Sequence, residues 1–562
     1  MFEKLLLMKI RNLVLSLGSL VLVSNYAFAD ILPNQAESLE IAHKITQLNN
    51  ATRMMCTAQL RCSLSLTTQF YTSHSFQPVW IQDSKVRPET EQFLSILRNS
   101  YQDGLNPLDY HVNEINKLLQ QIKTLQQTSQ TVPAALLANL DVTLSDAYLL
   151  YSKHLEVGKI DPVTAYPDWQ TSHRQVNVLA QYSLAVQQNN LVPNLNKIKP
   201  SFVGYTALKK QLAKYQKIAS IGGWESIPVG KELKKGSSGT RVSLLQQHLA
   251  LTENYILPDE STNFFDIKLK NAVSQFQAEN GIKDTGIVDK ITLQSLNIPV
   301  EERIKKIQLN LDRMRWLPND LGSNYIWVNI PSYSLIIKNK GINDLVMPVI
   351  VGGGGLNKTC VVNSRITTLE LNPYWGIPNR IATKEYLAKI QKDPEYLNKH
   401  NIRVFSTATK NEVDPSSINW DGVTPNKFNY FLRQDPGKKN ALGKLKFLFP
   451  NDCGIYLHDT SNPNLFGRNS RSLSHGCVRV SQPIALANYL IEANYNWNSL
   501  KLESAINTGN HKWLKLTNDL PIHIVYYTSW VDDQGKLQFR KDIYNADNVD
   551  FPVFIPQKIN EE

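Results

Sequence analysis

Tyr456-Leu457-His458-Asp459-Thr460, followed by Ser474-His475-Gly476-Cys477-Val478-Arg479-Val480, is the stretch on which the fold and chemistry of this chain turn. Tyr456-Leu457-His458 has the texture of a strand end. Asn462-Pro463-Asn464 and Gly467-Arg468-Asn469-Ser470 then mark a loop that returns to the Ser-His-Gly-Cys turn. Adjacent strands would bring His458 beside Cys477, 19 positions further on. Cysteine is the readiest side-chain nucleophile, but its thiolate must be populated, which calls for a nearby imidazole or donor dipoles. His458 is the expected base. Gly476 removes bulk beside the thiol, so the N–H groups of His475, Gly476 and Cys477 can turn toward an oxyanion. The base also needs an orienter, and Asp459 is the nearest. Its backbone carbonyl is preferred to its carboxylate, because successive side chains alternate faces along a strand.

The same residues admit other readings. His475-x-Cys477 is a short pair of zinc-type ligands, but no second Cys/His cluster stands at ligand spacing, so no metal is expected. A Ser-His-Gly-Cys turn with a purely structural role is a further alternative, against which the upstream histidine weighs.

Working outward, Tyr325-Ile326-Trp327-Val328-Asn329-Ile330, Ser334-Leu335-Ile336-Ile337 and Met347-Pro348-Val349-Ile350-Val351 are β-rich and bounded by turns. A mostly-β catalytic domain is therefore expected over 323–540. A more helical insertion at about 378–444, including Lys384 to Gln391, is expected to serve as a cap or lid. Residues 541–562 read as a C-terminal tail. Upstream, helical spacing in segments such as Leu136 to Leu155 predicts an α-helical scaffold over 30–230. A small three-helix unit follows at 231–297, then a connecting helix at 298–322. The fold class is multidomain α+β.

Composition agrees with several folded units. The 562 residues are 42% hydrophobic and 19% charged, enough apolar material for multiple cores. Lys and Arg outnumber Asp and Glu by 60 to 49, a net charge of +11 that favours an anionic partner. No long basic block, zinc finger or RNA-binding sheet motif is present, which argues against nucleic acid. Lys4, Lys9 and Arg11 precede the apolar run Leu13 to Val23, and Ala27-Phe28-Ala29 supplies a cleavage pattern. Residues 1–29 thus read as a secretory signal, with no transmembrane anchor after its removal and a periplasmic destination. Five cysteines are an odd count for an oxidising compartment. Cys56 and Cys62 are close enough for a local bridge, whereas Cys360 and Cys453 read equally as a bridge or as two small buried hydrophobes.

Two resemblances follow. Leu233-x-x-Gly236-x-x-Gly239, Phe276-Gln277, Asn280-Gly281, Thr285-Gly286 and Thr292-Leu293 resemble the small three-helix peptidoglycan-binding domain. His458 with Ser474-His475-Gly476-Cys477 resembles the L,D-transpeptidase catalytic domain of the YkuD type. Asn372-Pro373-Tyr374-Trp375, Arg433-Gln434-Asp435-Pro436-Gly437, Asn440-Ala441-Leu442-Gly443 and Tyr526-Tyr527-Thr528-Ser529-Trp530 are similar to segments of its large periplasmic subgroup. The resemblance implies Cys477 as nucleophile, His458 as proton acceptor and donor, and His475, Gly476 and Cys477 as the oxyanion turn. Arg479, which stands where many members have Asn, joins Tyr456, Ser474 and Trp375 on the substrate side. It further implies peptidoglycan as partner, with other cell-wall enzymes as candidates, and no cofactor. The expected reaction is 3→3 crosslinking of tetrapeptide stems through a thioester. L,D-carboxypeptidase, lipoprotein-to-wall ligase and inactive wall-binding scaffold are the alternatives.

Overall fold

The computed structural model describes residues 33–55, 64–167, 169, 176–200, 202–253, 255–257, 263–318, 320–492, 497–551 and 554–556. The signal at 1–29 and the Cys56–Cys62 pair lie outside them. The chain divides into two compact units. One comprises Met1–Arg98, Pro107–Ser152 and Asn177–Lys197, and the other Asn99–Asn106, Lys153–Val176 and Ile198–Glu562.

The first unit is helical, with Leu64–Ser73, Glu89–Arg98, Val112–Gln127 and Val178–Gln187 packed through apolar faces such as Phe93, Leu94 and Leu97. Its buried polar anchor is Asp141. That carboxylate accepts the N–H groups of Val79 at 3.0 Å, Trp80 at 2.7 Å and Ile81 at 3.1 Å, so a loop crosses the core without orphaned donors.

The second unit begins earlier than the scaffold boundary at 230. Helix Val203–Ser220 buries Tyr205, Leu208, Leu212 and Tyr215 against Ile304, Ile307 and Leu311 of helix Val300–Met314. Its periodicity reads as one more scaffold helix, but its apolar stripe is matched by the connecting helix. That connecting helix is a pillar rather than a spacer. Arg313 bonds Asp547 and the Ala546 carbonyl, both at 2.7 Å, and Arg315 bonds Asp312 at 3.1 Å and Tyr205 at 2.9 Å.

Between these helices in sequence, Thr240–Thr252, Ile267–Glu279 and Lys290–Leu296 form a three-helix unit with its own core around Leu245, Leu269 and Phe276. The second and third are started by the Asp266 and Asp289 side chains, which accept the N–H groups of Leu269 at 2.7 Å and Thr292 at 2.8 Å.

Nine strands form the central sheet in the order Ser472–Ser474, Ile342–Gly352, Val478–Val480, Leu457–His458, Leu445–Leu448, Val362–Leu371, Lys512–Val525, Asn324–Asn329 and Ser334–Asn339. The last strand also pairs with Ile342–Gly352, so the sheet closes on itself. Leu369, Leu371, Leu445, Phe447, Leu457, Val478 and Val480 point into one core, which helix Pro483–Glu492 covers with Leu486 and Leu490. Strand alternation sends the intervening residues to the other face.

Two expectations change here. The insertion is built on a four-stranded sheet, Trp375–Ile377, Tyr430–Gln434, Ile402–Ser406 and Glu412–Val413, against which short helices such as Leu387–Lys392 pack. Period-two burial at Ile402, Val404 and Leu432 wins over helical spacing that persists for only a few residues. The segment 541–551, expected as a tail, buries Tyr544, Ala546 and Phe551 in the catalytic core. Its Asp542 accepts the Tyr526 hydroxyl, and its Asp547 completes the Arg313 site. No described helix is long and apolar enough to cross a membrane.

Candidate active site

Leu457–His458 and Val478–Val480 are parallel neighbours, with Leu457 opposite Val478 and His458 opposite Arg479. Lys446 is the antiparallel partner of His458, and Glu370 that of Lys446. One row therefore runs across four strands on the face away from the core: Glu370, Lys446, His458, Arg479. Cys477 and Tyr456 lie on that face, two residues from Arg479 and His458. Tyr456, His458, Ser474, His475, Cys477, Arg479 and Lys446 line a cavity of about 610 Å³, closed on the insertion side by Trp375, Arg380, Glu385, Tyr386 and Lys389.

The electrostatics follow from the row. His458 Nδ1 meets the Asp459 carbonyl at 2.5 Å. A carbonyl only accepts, so Nδ1 carries the hydrogen and Nε2 presents a lone pair. Burial, with Arg479 next and Lys446 also contributing, pushes His458 down to about 3, so the ring is neutral at physiological pH. Burial also pushes the Cys477 thiol up, opposed by donors from the Tyr456 N–H and hydroxyl and by the charges of Lys446 and Arg479. The resting site is thus a neutral thiol and a neutral imidazole on one wall. No direct hydrogen bond joins the two groups.

The Asp459 carboxylate faces away from the ring. It accepts the N–H groups of Lys444 at 2.8 Å and Thr460 at 2.7 Å, and a Cβ on Gly443, whose φ is +62°, would lie 2.3 Å from it. The turn before the thiol is held from beneath. Ser474 Oγ donates to the Cys477 carbonyl at 2.5 Å and accepts the Gly476 N–H at 3.2 Å. This departs from the expectation that the Gly476 N–H points at an oxyanion, because the serine hydroxyl takes it inside the turn. Gly476 has φ +128°, in the region that favours glycine, and no close neighbour at its Cβ position, so backbone conformation rather than space restricts the site. Thr359 Oγ1 donates to the Gly476 carbonyl at 2.7 Å and accepts the Gly352 N–H at 2.8 Å. Tyr544 completes the brace, donating to the Gly352 carbonyl at 2.7 Å and accepting the Thr359 N–H at 3.0 Å.

Residues 323–494 match the profile of the L,D-transpeptidase catalytic domain. They belong to that domain family. Residues 238–296 match the peptidoglycan-binding domain, and 65–212 match a family described as a scaffold domain. A Haemophilus influenzae protein named by inference as an L,D-transpeptidase is 36% identical over 261 residues, which is 46% of this chain and 52% of that protein. The chain thus matches about half the length of this curated relative. Among solved structures, an L,D-transpeptidase from Xylanimonas cellulosilytica is 15% identical, covering 53% of this chain and 99% of its own at TM-score 0.18. One from Stackebrandtia nassauensis is 13% identical, covering 52% and 94% at TM-score 0.21.

Within the L,D-transpeptidase domain, the residues singled out in the sequence are gathered at one place, though not in equal roles. His475 points to the insertion, where its Nε2 bonds the Glu385 carboxylate. Cys360 and Cys453 form a disulfide, Cys453 lines the same cavity as Cys477, and Cys477 is the free thiol among the described cysteines. Among the described residues, no three His, Cys, Asp or Glu side chains converge to hold a metal ion. Thr359, Tyr544, Lys446, Glu370 and Glu385 were not legible as site residues. The period-two pattern of Leu445-Lys446-Phe447 is the one signal that places a cation on the face of His458.

Proposed function

We propose that the protein is an exported L,D-transpeptidase that forms 3→3 crosslinks between peptidoglycan stems through a Cys477 thioester. The observation that carries this reading is the placement of Cys477 and His458 on one wall of a single cavity, with the thiol at the end of a braced glycine turn. Cys477 Sγ attacks the carbonyl of the L-centre residue joined to the terminal D-residue, as His458 Nε2 takes the thiol proton. The C–N bond then breaks, and His458 passes that proton to the departing D-alanine amine. A second stem's side-chain amine attacks the thioester, loses its proton to His458 and releases the thiolate, which is reprotonated. With both groups neutral at rest, proton transfer accompanies attack rather than preceding it. The Asp459 carbonyl holds the ring so that Nε2 serves both steps.

Trp375, Tyr386 and Lys389 supply an aromatic and cationic wall suited to a glycopeptide. The peptidoglycan-binding domain would retain the enzyme on its polymer, and the signal at 1–29 supports a periplasmic location. The test is intact mass spectrometry of the mature protein with a disaccharide-tetrapeptide, beside Cys477→Ala. A stem-sized adduct on wild type alone and a crosslinked dimer are expected. Tripeptide without dimer would assign hydrolysis instead, and no adduct would leave only a wall-binding protein.

A further inference from the structure

Among the described Lys and Arg side chains lining the cavity, one has neither a carboxylate, a hydrogen-bond acceptor nor an aromatic ring as partner. Lys446 Nζ lies 3.2 Å from Glu370, whose other oxygen meets His511 at 3.0 Å. Arg380 bonds Asn357 and approaches the Leu356 carbonyl at 3.5 Å. Lys389 sits over the rings of Tyr386 at 5.1 Å and Tyr396 at 5.7 Å. Arg479 differs from all three. Among the described residues no carboxylate lies within ion-pair distance of it, its guanidinium makes no hydrogen bond, and its Nε is buried without an acceptor. Glu385, the one carboxylate on the cavity wall, is engaged by His475. A half-buried guanidinium with unmet donors is costly unless an anion joins it, and its planar fork fits a carboxylate through two parallel bonds.

We propose that Arg479 is the specificity-determining receptor for the free C-terminal carboxylate of the peptide that acylates Cys477, a role that rests on the acyl-transfer reading above. Reach supports this assignment. Val478 and Val480 are buried in the core, so Cys477 and Arg479 share the cavity face. Extended backbone leading from Cys477 into the strand Val478–Val480 would set their Cα atoms roughly 6.6 Å apart. In a peptide attacked at its last amide, the carboxylate carbon is three bonds from the attacked carbonyl carbon, roughly 3–4 Å away. An arginine two residues beyond the nucleophile spans that offset. The terminal residue would then be read by its charge.

The experiment compares a disaccharide-tetrapeptide bearing a free C-terminal carboxylate with its C-terminal amide, following Cys477 acylation by intact mass in wild type, R479Q and R479K. Wild type is expected to take the acid roughly 10- to 100-fold faster than the amide, the span of a charge-assisted hydrogen-bonded pair. R479Q brings the two rates together by slowing the acid, and R479K, which keeps the charge without the fork, gives an intermediate ratio. Circular dichroism and the melting temperature report on folding. Should R479Q not fold, the wild-type and R479K ratios decide. Equal wild-type rates on acid and amide, or a wild-type ratio retained in R479Q, overturn the assignment while leaving acyl transfer intact. Acylation by neither peptide overturns both.

Discussion

Thr359→Val tests whether the nucleophile turn is held by the brace beneath it. The hydroxyl of Thr359 serves two buried backbone groups at once, the Gly476 carbonyl at 2.7 Å and the Gly352 N–H at 2.8 Å. Valine fills similar volume but satisfies neither. Each orphaned group costs about 1–3 kcal/mol, so the substitution destabilises the catalytic domain by roughly 2–5 kcal/mol. For a domain of this size that corresponds to a melting shift of roughly 5–15 °C. Because Gly476 precedes the thiol, the loss also blurs the position of Cys477, and acylation is expected to slow by about 10- to 100-fold. Thr359→Ser, which keeps the hydroxyl, should lose only about 1 kcal/mol for the missing methyl and acylate near the wild-type rate. Thermal melting and single-turnover acylation on the same preparations give both readouts. Tyr544→Phe removes the other arm of the brace, and the double variant with Thr359→Val should cost less than the sum of the singles, because the two side chains serve the same backbone. A T359V protein that melts within about 2 °C of wild type and acylates normally would refute the brace.

Three further outcomes are expected. His458 is held at about 3 in the fold, against an unfolded value near 6.5, so the unfolded state takes up a proton that the folded state refuses between those values and stability falls as pH falls below about 6.5. That cost reaches about 2 kcal/mol at pH 5, and His458→Gln should shrink the pH 7 to pH 5 stability difference in denaturant unfolding by this amount. The Cys360–Cys453 disulfide closes a loop across a sequence separation of 93, so its reduction or a double Ser replacement should cost at most roughly 4–5 kcal/mol, read as a lower melting point. Truncation after Arg540 removes Asp547 from the buried Arg313 and strips Tyr544 and Phe551 from the core. The loss of the ion-pair partner alone costs roughly 3–5 kcal/mol, and a truncated protein with wild-type melting would show that the segment is dispensable.

His458, Cys477 and the turn between them could be picked out as candidates because they lie within one segment of 23 residues, His458 to Val480, and the chemistry proposed for them is local. The brace was not. Thr359 and Tyr544 carry no mark in sequence that ties them to Gly476, and only the closed sheet brings them beneath it. The charge row was half legible, since alternation puts Lys446 and Arg479 on outward faces, but their neighbours depend on strand register. In the insertion, Ile402-Arg403-Val404-Phe405-Ser406 is one strand's worth of alternation between short turns, too brief to outweigh the helical spacing of Leu387 to Lys392. The polar texture of Asp542 to Asp550 reads as solvated. In the fold two of those carboxylates are consumed by Tyr526 and Arg313, so the segment's polarity belongs to buried partners rather than to water.

The electrostatics of the row bear on how a free thiol survives in this cavity. Cys477 shares it with Cys453, already bonded to Cys360, and both oxidants and disulfides react with the thiolate rather than the thiol. A resting thiolate–imidazolium pair would be exposed to exchange with that bridge in an oxidising compartment. Burial of both groups works against such a pair, disfavouring the Cys477 anion and the His458 imidazolium; Arg479 and Lys446 add to the second effect while partly opposing the first. A substrate carboxylate paired with Arg479 would offset one of those cations, making His458 a stronger base when a peptide occupies the site. The charge that reads the substrate would thereby also restrain the base until the substrate is bound.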